Sequence, residues 1–336
     1  MDPVRAPIPT DVRTLAHDEP SSGFDPARAR GAIFGAALGA ALAAGPGGAA
    51  LAADTIVLAM QTLGAFFNAE TDDPARDLAE RAARWHRDAP PGGTRETVGA
   101  GACNVVGRVV ARARFAEDPV AAARGLEGPK ATNGALLRAV ACAFTVAPAD
   151  WAIALCEATH ADERCAATAC MLALLLNALG HWAADAAPTP GLAAGPVAAG
   201  RALIAAPPRR ADYMRRLTDT ARLEGLKLGD DPAGGEPGHQ TYAVKTCAVA
   251  MWAFRQLVAT PVAEQGPTFF EATVCAVAAR GGDATTNAAV AGAVLGAALG
   301  SAGLPQGRLA ALPRREWLSA EVERFLSAAA PTWAAP

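Results

Sequence analysis

The stretch "DPARARGAIFGAALGAALAA", Asp25 to Ala44, decides what kind of fold this chain adopts. Asp25-Pro26 is a helix start, because the aspartate offers an N-capping oxygen and proline gives up an N–H that the first turn does not use. Gly31, Gly35 and Gly39 then recur every fourth residue along one helix face, so another helix can approach at backbone distance. Helical periodicity continues outward through residues 54–67, 74–87, 100–115, 133–144, 148–158 and 162–179. Alternation of the strand type is almost absent.

Proline and glycine cluster over 187–208 and again in "GDDPAGGEPGHQ", Gly229 to Gln240, which reads as loops flanking a helix around 212–223. Helices resume over 241–257. Thr268 and Glu271 form a capping-box pattern for the next helix, and Gly281-Gly282 ends it just before Asp283 opens another. A last amphipathic helix is expected from about Arg315 to Ala329. High alanine content favours helix throughout. The expectation is a single compact all-α domain over residues 25–330, preceded by a flexible arm at 1–24.

Bulk properties exclude several functions. Thirty basic against thirty-three acidic residues among 336 give a net charge of -3, with no block of either sign, so neither nucleic acid nor an anionic membrane is an expected partner. Seven cysteines without a CxxC pair read as small buried hydrophobes of a cytoplasmic or other reducing intracellular compartment. No signal peptide is visible in "MDPVRAPIPTDVRTLAHDEPSSGF", which carries charges and prolines where an apolar core would be needed. The best membrane-spanning candidate, 31–53, is mostly Ala and Gly and is cut by Gly45-Pro46-Gly47-Gly48, so it reads as a helix buried in protein.

Chemistry concentrates at helix starts. "GGAALAADTIVLAM" sets Asp54-Thr55 at the opening of one expected helix, and "GGDATTNAAVAG" sets Asp283, Thr285 and Thr286 at another. Taken singly, each is explained by N-capping. "KATNGALLRAV" places Asn133-Gly134 where backbone N–H groups can meet a phosphate, although an ordinary turn explains it nearly as well. In "CEATHADER" a cap accounts for Thr159, which leaves His160 as the unusual side chain.

In order along the chain, "GAIFGAALGAALA", "ADT", "ETVGAGACNVV", "TNGALLR", "EATHADERCAATACMLALLL", "YAVKTCAVAMWAF" and "FFEATVCAVAARGGDATTNAAVAGAVLGAALG" resemble the ADP-ribosylglycohydrolase family. That family includes the dinitrogenase-reductase-activating glycohydrolases, and the jellyfish J-crystallins resemble it. The resemblance covers roughly residues 27–304. It implies an all-α fold around a binuclear magnesium site that orients the ribose hydroxyls of ADP-ribose and a water for cleavage of the ribosyl bond. Carried over residue by residue, it implies metal ligation by Asp54, Asp283 and Thr286. It implies substrate contact by Asn133, Gly134, His160, Gly99 and Gly101.

Departures from the pattern fall on the metal ligands. Ala53 stands where the family has aspartate, Ala52 where it usually has a hydroxyl residue, and Thr285 where it has the second aspartate of the last run. Gly39-Ala40 replaces a common Gly-Asp, no glutamate follows in "AAGPGGAA", and Thr132-Asn133-Gly134 replaces Gly-Asn-Gly. Magnesium takes oxygen ligands near 2.1 Å, and a carboxylate at that distance is worth about 4 kcal/mol even at water's dielectric. The expectation is therefore one magnesium ion or none, with binding of ADP-ribose or an ADP-ribosylated protein and weak or lost hydrolysis. Active magnesium-dependent hydrolysis and a structural, crystallin-like role without nucleotide binding are the alternatives.

Overall fold

The computed structural model describes residues 25–88, 104–182, 186 and 188–333. Gly99, Gly101, Cys103 and the expected arm at 1–24 lie outside the described residues. The chain runs through α1 (Pro26–Phe67), α2 (Pro74–Asp88), α3 (Asn104–Val110), α4 (Pro119–Arg124), α5 (Leu136–Cys142), α6 (Pro148–Glu157) and α7 (Glu163–Gly180). It continues through α8 (Ala194–Ala202), α9 (Pro207–Thr218), α10 (Ala243–Ala259), α11 (Pro267–Ala278), α12 (Ala284–Leu299), α13 (Gln306–Ala310) and α14 (Arg315–Trp333). Among the described residues there is no strand, only an isolated antiparallel bridge between Thr132 and Tyr242. The all-α expectation holds.

The first half of α1 packs antiparallel on α12, and the glycine stripe is the seam. A Cβ added at Gly31, Gly35 or Gly39 would lie 2.1, 2.2 and 2.1 Å from the carbonyl oxygens of Gly296, Gly292 and Ala288. Real Cβ atoms do not approach a carbonyl so closely, so the two backbones touch only because those positions lack side chains. Around this pair α5, α7, α10 and α14 close the core. Arg28 is buried with them, and its Nη1 donates to the carbonyls of Leu179, Ala297 and Ala298 at the ends of α7 and α12. A guanidinium there satisfies C-terminal carbonyls that have no helical partner.

Asp25 caps α1 as expected, accepting from Ala27 N at 2.8 Å. Asp54, however, does not open a helix. The backbone breaks at Ala44 and at Gly45, where φ is +64°, and helix resumes at once through Pro46, leaving Asp54 more than two turns inside α1. Proline is harmless at that resumption because it again occupies a first turn.

Other expectations are corrected in the same way. Residues 187–208 contain α8, whose Pro196 sits in its first turn, and the start of α9. No capping box forms at Thr268 and Glu271, since α11 begins at Pro267 after Gly266 without a side-chain cap. Five cysteines are buried, but Cys275 is exposed. The apolar stretch 31–53, read from sequence as a helix buried in protein, lies within α1, and much of it is buried.

Candidate functional site

Two consecutive left-handed glycines aim the Asp283 end of α12. Gly281 and Gly282 have φ of +67° and +66°, a region open to glycine at little cost, and a Cβ on Gly282 would lie 2.2 Å from the Leu228 carbonyl oxygen. Asp283 follows as the N-cap, its Oδ1 accepting from Thr286 N at 3.3 Å. Its other oxygen, Oδ2, accepts from Asn133 Nδ2 at 2.9 Å. The same amide nitrogen donates to Thr246 Oγ1 at 2.9 Å. Three separate stretches thus meet at one point: the turn before α5, the first turn of α10 and the cap of α12.

Thr246 was not expected from sequence. It lies in "YAVKTCAVAMWAF", where a lone threonine in an apolar helix carries no signal of its own. Asn133 is 1% exposed and its Oδ1 has no protein partner, nor does either amide atom of Asn287, which is fully buried one helical turn beyond Asp283. Buried polar atoms of this kind are met by a water or a ligand. Gly134 and Thr285 are half-buried, and Thr286 is buried.

The Asn133 turn is held from behind. Asn133 N donates to Thr241 O at 2.9 Å, so that N–H is spent inside the protein and is not offered to a phosphate as the sequence suggested. Glu236 Oε1 accepts from the backbone N–H groups of Lys130 and Ala131 at 2.9 and 3.1 Å, while its Oε2 accepts from Arg164. Arg164 also bonds Asp162, the true N-cap of α7. Burial alone would raise both carboxyls, yet these bonds outweigh it and hold Asp162 and Glu236 below the ordinary carboxylate range. The neighbouring loop is tied by Lys245, whose buried Nζ donates to the carbonyls of Gly229 and Gly238.

His160 borders this turn through its ring, which is bonded on both nitrogens. Nε2 is 3.0 Å from Thr132 Oγ1 and Nδ1 is 2.8 Å from Thr159 Oγ1, and Arg138 donates to the same Thr159 hydroxyl. Thr159 is therefore a link in this chain and not the cap expected for it. Burial pushes the imidazole down to about 3, with the nearby Arg138 charge adding to the effect. The ring is neutral at physiological pH and fixed, which suits it to positioning Thr132 and the adjoining Asn133.

Asp54 has a different partner. It is 1% exposed, and Arg314 Nη1 donates to its Oδ1 at 2.7 Å. Ala52 and Ala53 beside it are buried apolar residues. Asp54 and Asp283 are thus engaged by different groups, a guanidinium for one and a neutral amide for the other. Among the described residues no group of three or more His, Cys, Asp or Glu side chains gathers. A magnesium pair needs carboxylates that it can share, and these donors do not fit one.

A family model described as ADP-ribosylglycohydrolase matches residues 22–335. Among solved structures, an ADP-ribosylglycohydrolase-related protein complex is similar over 90% of this chain and 98% of the other, at 23% identity and a TM-score of 0.58. At that identity the likeness shows a shared fold. No curated protein matches the chain.

Proposed function

The chain belongs to the ADP-ribosylglycohydrolase family, and from that premise we propose that it binds ADP-ribose or an ADP-ribosylated protein and hydrolyses the ribosyl bond weakly or not at all. The carrying observation is the 2.9 Å bond between Asn133 and Asp283, which joins two positions that the family pattern assigns to ligand and metal. A half-buried carboxylate accepts hydrogen bonds from a ribose diol, and the unpartnered Asn133 Oδ1 is a second acceptor at the same point. Glu236, Thr241 and His160 fix the backbone on which Asn133 stands, so the binding geometry is set before a ligand arrives.

Turnover is the part that this arrangement supports poorly. Hydrolysis needs a water made nucleophilic beside the ribosyl carbon. His160 is neutral but has both nitrogens engaged, Asp54 is paired with Arg314, and positions 53 and 285 carry no carboxylate. The same residues support binding without efficient cleavage.

The experiment is calorimetric titration with ADP-ribose, beside release of ADP-ribose from modified peptide and from polymer, with and without magnesium. Saturable binding with release near background is expected, and a bulky residue at Gly134 should weaken the binding. Absence of heat and of thermal shift at millimolar ligand would replace the binder with the crystallin-like structural role. Robust magnesium-dependent release would replace it with an active hydrolase.

A further inference from the structure

We propose that Arg314 is the resident cation of the Asp54 carboxylate, so that the position which the family resemblance assigns to a divalent metal is closed by a guanidinium belonging to the chain itself. The inference deepens the reading above at one of its residues. Missing carboxylates would weaken metal binding, whereas an occupied carboxylate would keep the remaining one from recruiting a metal at all.

Four features define the position of the arginine. Its Nη1 lies 2.7 Å from Asp54 Oδ1, with side-chain exposures of 17% for Arg314 and 2% for Asp54. Its guanidinium carbon lies 3.7 Å from the centroid of the Trp317 ring, a contact that a planar delocalised cation makes well. Its backbone is left-handed, with φ +57° at a non-glycine residue, immediately before α14 begins. That conformation is unfavourable by itself, so the surrounding contacts maintain it. Finally, α14 is fastened along α1 by Gln61 bonding Glu321 at 3.2 Å and by Arg30 paired with Glu323 at 2.6 Å, so Arg314 is delivered to Asp54 by a docked helix.

A carboxylate buried in the interior of a helix must be neutralised by protonation, by a partner or by a metal. Here the partner is supplied in the same chain and at high effective concentration. A dication on Asp54 would face the guanidinium at a few ångströms, so it could enter only by driving Arg314 away from both Asp54 and Trp317.

The test uses metal alone, so its outcome is independent of whether ADP-ribose binds. Thermal unfolding is followed for the wild type, Arg314→Met and the double variant Asp54→Asn with Arg314→Met, in magnesium chloride and in sodium chloride of equal ionic strength. The wild type should give the same Tm in both salts. Arg314→Met should melt below the double variant, because it leaves a buried carboxylate without its cation, and magnesium should raise its Tm by several degrees over sodium. The double variant should lose that response. A magnesium-specific rise in the wild type, no such rise in Arg314→Met, or a single variant as stable as the double would each overturn the proposal. If Arg314→Met does not fold, manganese binding to the wild type, read by electron paramagnetic resonance, decides the matter. No bound ion at millimolar manganese supports the arginine as resident cation, and an ion lost on Asp54→Asn refutes it.

Discussion

Acidification from pH 7 to pH 5 should destabilise this protein chiefly through one imidazole. His160 is buried with both nitrogens bonded, and its pKa is pushed down to about 3 by burial first and then by the charge of Arg138. In the unfolded chain the same ring titrates near its ordinary value of about 6.5. Below that value the unfolded chain takes up a proton that the folded protein refuses. Stability therefore falls as pH falls, by about 1.4 kcal/mol per unit, until the folded value is reached. Between pH 6.5 and pH 5 the loss is about 2 kcal/mol.

The carboxylates do not confuse this window. Asp162, Glu236 and Glu323 are all held below the ordinary range, so their stabilisation is present above an unfolded value of about 4 and is lost only as pH drops further. The assay is urea unfolding at pH 7 and pH 5 for the wild type and for His160→Gln, whose amide can still bond a threonine hydroxyl on either side but does not titrate. The other four histidines of the sequence are present in both proteins, so the difference between them isolates His160. The variant should lose less than half of what the wild type loses. Equal losses in the two chains would refute the assignment, and with it the claim that a neutral His160 holds Thr132 and the Asn133 turn.

Two further substitutions probe the scaffold and the positioning of the turn. Gly35→Ala places a methyl 2.2 Å from the Gly292 carbonyl oxygen, and it should cost about 1–3 kcal/mol from overpacking, offset by about 1 kcal/mol of helix propensity, in urea unfolding; a stabilised variant would show that α1 and α12 can part. Glu236→Gln removes the charge that receives the Lys130 and Ala131 N–H groups and Arg164, and it should cost about 1.5–3 kcal/mol in the same assay and weaken ADP-ribose binding in calorimetry; an unaltered affinity would separate the loop network from the site.

What the sequence made legible was local. Alanine-rich periodicity, Asp25-Pro26, the Gly281-Gly282 pair and the Asp283 cap act within a turn or two of the chain, and each appears in the structure. The glycine stripe announced a close helix approach, but which helix came was a long-range fact. The proline-rich stretch after residue 187 misled because proline signals a break from sequence alone, while Pro196 occupies a first turn where its missing N–H costs nothing. The Asp54 reading failed for a related reason. Gly45-Pro46 does break the backbone, yet the helix restarts on that proline, so the aspartate eight residues later is interior. Asn133 and Asp283 could be suspected singly, but their meeting across 150 residues, and that of Asp54 and Arg314 across 260, depends on tertiary packing.

The charges that remain at these positions form a consistent set. Two magnesium ions bring four positive charges, and they stay together only where several carboxylates offset their repulsion. Ala53 and Thr285 supply none, and the two aspartates that persist each bond a protein group: Asp54 a guanidinium, Asp283 the Thr286 N–H and the Asn133 amide. The missing acids and the resident arginine are therefore two sides of one electrostatic condition, in which every retained carboxylate has a protein partner. Under the proposed binding role, a nucleotide's hydroxyls would donate to the Asp283 carboxylate and to the Asn133 amide oxygen on this preformed turn.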